Sequence, residues 1–139
     1  MTLPATLAEG IHRKWAADVA LSALLPVSRF LTGRAPEVVE MPYCRLEMPG
    51  GSQDVRTNKS LIQSSPIVFH VWTDGFDEGD RIANEIERVF QNCIEYQGGT
   101  VLDATFVPHT GTQLNLPEIR AWETICNFTF RTWQARSDI

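Results

Sequence analysis

A chain of 139 residues is one domain's worth of protein and long enough to bury a core. Hydrophobic residues make up 43% and charged residues 21%, which excludes a disordered or fibrous chain. The formal charge is −5, with Lys14 and Lys59 the two lysines and ten arginines scattered along the chain, which argues against a protein whose main work is coating nucleic acid.

The elements follow in chain order. Residues 1–26 read as an N-terminal helix over 4–25, because Leu3, Leu7, Ile11, Trp15 and Val19 recur at four-residue spacing. Thr2 is the expected cap, Pro4 fits the first turn, and Pro26 stops the helix. Residues 27–42 give mixed signals, with a short strand expected at Arg29-Phe30-Leu31. Residues 43–48 form a clearer strand: Cys44, Leu46 and Met48 share one face, opposed by Tyr43, Arg45 and Glu47. The polar segment 49–60, carrying Asp54, Arg56 and Lys59, reads as an exposed loop or hairpin tip available for contacts.

Residues 61–73 are the next strand, with Pro66 implying a bulge or an edge position. A second helix follows, striped by Ile82, Ile86, Val89, Phe90 and Cys93 and stopped at Gly98-Gly99. Asp77, Glu78 and Asp80 complement the positive end of its dipole, and with Asp74 they make only a partial match to a calcium loop. A strand at 100–107 sets Leu102, Ala104 and Phe106 against Val101, Asp103, Thr105 and Val107. A loop is expected at 108–117. The last strand, 119–133, sets Trp122, Thr124, Cys126, Phe128 and Phe130 against Glu123, Ile125, Asn127, Thr129, Arg131 and Trp133. It is too long to lie wholly within an ordinary sheet, so it bends or leaves its own sheet.

The expected fold is a single α+β domain over 1–139, one mainly antiparallel four- to five-stranded sheet with two helices packed on one face. Two helices screen one side only. Val68, Trp72, Ile125 and Trp133, with Val101 and Val107, are then candidates for the other side, and a large apolar patch there implies self-association. Cover from segment 27–42 is the alternative.

No catalytic constellation emerges. The chain has no phosphate-binding glycine loop, no H-E-x-x-H, no G-x-S-x-G and no C-x-x-C, so no catalytic residue, metal ligand or cofactor is assigned. His12 reads as solvated, His70 as a structural histidine in an apolar strand, and His109 as a loop residue with no acid nearby in sequence. Cys44, Cys93 and Cys126 are an odd set without short spacing, which argues against a disulfide frame and for a reducing cytoplasm. Met1-Thr2-Leu3-Pro4 lacks the features of a signal peptide, and no apolar run is long enough for a membrane span.

The core at 29–134 resembles the tail terminator and tail-completion proteins of long-tailed phages and prophages. The resemblance lies in the strand start Pro42-Tyr43-Cys44-Arg45-Leu46, a polar loop, and the strand Ile67-Val68-Phe69-His70-Val71-Trp72 running into Thr73-Asp74. An amphipathic helix over 80–90 and a final long strand over 122–133 complete it. The resemblance implies a non-enzymatic virion protein that forms a ring, a homohexamer, at the head-proximal end of the tail tube and joins tail to head. Its implied partners are copies of itself, the tail-tube protein and a head-completion or connector protein. DNA is passing cargo only, and assembly takes place in the bacterial host cytoplasm. Two other readings stay open on the residues alone: a head–tail adaptor or minor tail component, and a small ferredoxin-like enzyme or ligand-binding domain. The last requires His70 and His109 to converge on a pocket with a carboxylate.

Overall fold

The computed structural model describes residues 2–32, 40–50, 52–56, 60–91, 94–116 and 119–135. Thr6, not Thr2, caps the first helix, α1 (Leu7–Ala17): its hydroxyl accepts from the Glu9 N–H at 3.2 Å, while Glu9 reaches back to the Ala5 N–H at 2.9 Å. The single N-terminal helix of the sequence reading is in fact two. Asp18 adopts an extended backbone, φ −87° and ψ 116°, and its carboxylate accepts from the Leu21 N–H at 2.9 Å, starting α2 (Val19–Leu24). An acidic cap inside an apolar stripe was therefore the signal that outweighed the periodicity.

A helical turn at Val27–Arg29 leads into β1 (Phe30–Thr32), then β2 (Tyr43–Glu47), β3 (Ser52–Arg56), β4 (Ser60–Thr73), α3 (Phe76–Val89), β5 (Glu95–Tyr96), β6 (Gly99–Leu116) and β7 (Ile119–Ala135). The sheet order is β1-β2-β4-β7-β6-β5, with β3 beside β4 on the edge that β2 also uses, so seven strands fill six rows. Among the described residues, the β1–β2 pair alone is parallel. Four to five strands were expected. Beyond five, the excess comes from β5, two residues long, and from β3, which lies within the segment expected to be an exposed loop or hairpin tip; β1 answers to the short strand expected at Arg29-Phe30-Leu31.

The segment 108–117 is corrected as well. Most of it belongs to β6, an 18-residue strand paired with the 17-residue β7 in one long hairpin. Turn-type residues misled here: Pro108 falls in a register shift between Val107 and Thr110, where the ladder tolerates a missing donor. A second shift, between Val101 and Asp103, exchanges the expected facings of Val101 and Leu102, while Ala104 and Phe106 face the core and Asp103, Thr105 and Val107 face away from it as expected. Val101 points into the core at 1% exposure and Leu102 is left out at 47%. The other alternations hold. Cys44, Leu46, Ile67, Phe69, Val71, Cys126, Phe128 and Phe130 are all buried.

The helices lie against this inner face. Trp15 stacks on Phe30 at 4.2 Å between ring centres, and Phe69 meets Phe90 at 5.0 Å and Phe128 at 5.6 Å, which joins α1, the strands and the end of α3 in one aromatic core. Two glycines permit the close fit. A Cβ on Gly10 would lie 2.9 Å from Ile94 Cγ2, and one on Gly79 would lie 2.5 Å from Thr124 Oγ1. Of segment 27–42, residues 27–32 form a helical turn and a sheet-edge strand rather than a third layer.

Candidate functional site on the uncovered sheet face

The face away from the helices is organised by strand register. Three rows cross β2, β4, β7 and β6 in turn: Tyr43, Trp72, Glu123 and Thr112; Arg45, His70, Ile125 and Thr110; Glu47, Val68, Asn127 and Val107. Three of the four residues expected at an interface, Val68, Trp72 and Ile125, meet in this grid. The fourth, Trp133, shares the face but pairs with Ile62, eight residues further along β7 and so roughly 26 Å from Ile125. Trp133 at 38% and Val107 at 59% are exposed large apolar side chains on this face, while Val68, Trp72 and Ile125 are half-buried.

The half-burial has a local cause. Trp72 lies between Tyr43, stacked at 4.8 Å, and His70, stacked at 5.7 Å. Arg45 Nη2 stands 3.2 Å from Glu47 Oε2, and the His70 ring sits between Glu47 at 3.4 Å and Glu123 at 3.6 Å. Neither His70 nitrogen makes a hydrogen bond, although both are buried. Burial, with Glu123 nearby, raises the Tyr43 phenol pKa against the opposing pull of Arg45. The result is an aromatic and aliphatic surface crossed by a short charged track.

Asp54 and Arg56 belong to β3, with Asp54 at the register shift between Gln53 and Val55, so these two sit in a paired strand. Lys59 and Cys93 lie outside the described residues.

His109 lies on the opposite side of the sheet from His70. It contacts α3 through Asp80, 2.6 Å from Nε2, and Glu87, 2.8 Å from Nδ1. The convergence that an enzyme reading needs is therefore not met. Two shallow depressions, one beside Lys14, Asp18 and Arg88 and one beside Asp74, Phe76, Gln113 and Trp122, contain neither histidine. Among the described residues, no three His, Cys, Asp or Glu side chains converge where a metal ion could be held.

Sequence reasoning missed the His109 cluster because its acids are 29 and 22 residues away. The available signal was the seven-residue spacing of Asp80 and Glu87, which puts both on one side of a helix. His12 also departs from expectation: its ring stacks on Phe30 at 4.2 Å and contacts Thr32 Oγ1, and burial lowers its pKa.

No protein-family model matches this sequence, and no curated protein matches it. A solved chain from the virion of a native gene transfer agent (GTA) particle does match in three dimensions, with a TM-score of 0.73, over 91% of this chain and 94% of that chain. The two chains share a fold. Their sequences are 16% identical, so the likeness is one of backbone architecture.

Proposed function

We propose that this chain is a structural protein of a phage-type virion, and within the virion a tail terminator. It forms a closed ring at the head-proximal end of the tail tube, stops tube growth, and offers the surface to which a head-completion or connector protein binds. The observation that carries the reading is the fold shared with a virion chain along nearly the full length of both. The one-sided packing supports it. The helices occupy one face, and the other holds Val68, Trp72, Ile125 and Trp133 with no element of this chain above them among the described residues.

Copies of the same chain are the first partners, six being the number implied by the resemblance, and a head-to-tail contact of this kind closes when the rotation per subunit divides a full turn. The tail-tube protein and the connector are the others. DNA passes through as cargo, and assembly takes place in the bacterial host cytoplasm before the protein resides in the virion tail.

The test is negative-stain microscopy of the purified chain, alone and with tail-tube protein, together with deletion of its gene in the producing host. The expected outcome is a ring capping one tube end, and tubes of unregulated length in the deletion. Tubes of normal length that fail to join heads point instead to the adaptor reading. A strictly monomeric chain that never binds tube ends overturns the terminator assignment.

A further inference from the structure

Pro108 and His109 are the two residues of β6 that the β7 ladder skips between Val107↔Asn127 and Thr110↔Ile125. At this bulge the His109 side chain meets α3, and its backbone N–H donates to Glu87 Oε2 at 3.1 Å. Both ring nitrogens also face carboxylate oxygens, Asp80 Oδ1 at 2.6 Å and Glu87 Oε1 at 2.8 Å. A neutral imidazole has one N–H and one lone pair, so it satisfies one carboxylate and turns a lone pair on the other. The imidazolium donates to both. The arrangement therefore calls for the charged ring.

The surroundings reinforce this. Glu87 is 7% exposed and depends on His109 for two of its contacts. From β7, the Cys126 thiol feels the Glu87 charge and is held neutral, chiefly by burial, and the buried Thr124 hydroxyl makes no hydrogen bond. From α3, Asn84 donates to Asp80 Oδ2 at 3.4 Å.

We propose that His109 is a pH-operated clamp, which fixes β6 beyond its bulge to α3 when the ring is charged and releases it when the ring is neutral. Burial disfavours the charged ring, but the hydrogen bonds and negative charges of Asp80 and Glu87 outweigh it and raise the His109 pKa. A raised folded-state value means that the clamp contributes fully below the unfolded-state value of 6.5 and is lost as pH rises through the higher folded value. The segment it controls, residues 110–116, is otherwise held to the sheet through β7. The inference stands apart from the assembly role and holds whether or not a ring forms.

The test is amide hydrogen exchange on the full chain at about pH 6 and about pH 8.5, corrected for intrinsic exchange, with the His109 ring followed by NMR. The expected result is roughly tenfold lower protection of residues 110–113 above the His109 titration. Asp80→Asn, a half-exposed helix position, leaves one carboxylate that a neutral ring can serve, and it moves the midpoint of both signals to lower pH. His109→Gln abolishes the step. Protection that is equal on both sides of the titration, a step that survives in His109→Gln, or an unmoved midpoint in Asp80→Asn overturns the clamp. Should His109→Gln not fold, Asp80→Asn decides.

Discussion

The indole Nε1 of Trp15 donates a 2.8 Å hydrogen bond to the carbonyl oxygen of Leu25, ten residues away and fully inside the protein. It closes the corner between α1 and α2 from within. Ser22 assists from the side, its hydroxyl donating to the Trp15 carbonyl at 2.9 Å. Pro26 ends α2 at this carbonyl, so the indole supplies a donor that continued helix would otherwise have supplied.

Trp15→Phe keeps much of the packing and removes that donor. The Leu25 carbonyl is left buried, at a cost of about 1–3 kcal/mol, with further loss from the missing ring volume. Urea unfolding should show a lower midpoint with an unchanged slope.

Gly79→Ala is expected to destabilise the protein although alanine is the better helix former by about 1 kcal/mol. The added methyl would meet Thr124 Oγ1 at 2.5 Å, Trp122 Cδ1 at 3.0 Å and Thr73 Oγ1 at 3.1 Å, where α3 crosses the hairpin. Overpacking of this kind costs about 1–3 kcal/mol. A thermal midpoint at or above that of the parent chain would contradict it.

Core and face residues should separate when folding and association are measured together. Ile86 is fully buried at the centre of the α3 stripe, and Ile86→Ala is expected to cost about 2–5 kcal/mol whatever the oligomeric state. Trp72→Ala and Trp133→Glu act on the uncovered face and should weaken assembly more than folding. Sedimentation velocity beside denaturant melts distinguishes the two cases, and equal losses in both would make the tryptophans part of the core.

Acid should weaken the fold through His12. Burial against Phe30 holds its pKa below the ordinary 6.5, so its contribution is present above 6.5 and is lost as pH falls through the lower folded-state value. The sign is opposite to that of His109. His12→Gln should therefore flatten the stability profile on the acid side while leaving its alkaline side in place, as followed by urea midpoints across pH.

Much of the architecture was legible in the residues because burial repeats at the period of each element. The α3 stripe, the alternation of β4 from Ile67 to Thr73, and that of β7 from Trp122 to Trp133 all follow from which side chains must leave water. Segments whose residues admit two structures were less legible. The polar stretch containing β3 and the Pro108-rich part of β6 have loop composition, yet each finds an unpaired sheet edge and becomes strand. The outer-face group of Val68, Trp72 and Ile125 was legible for the same reason as the core, through alternation along strands. Trp133 shares that alternation, but its distance from Val68 and Trp72 on β4 appears only once the register is known.

The amino-acid sequence alone determined that this is an α+β chain with one helical layer and a sheet whose second face carries aromatic and aliphatic side chains. Local periodicity is a property of neighbouring residues and needs no partner to be read. Only the tertiary structure decided that Asp18 divides the first helix, that Val101 turns inward, and that His109 finds Asp80 and Glu87 rather than His70. Those outcomes depend on where a bulge falls and which elements then touch, and contacts between residues far apart in the chain leave no periodic trace along it.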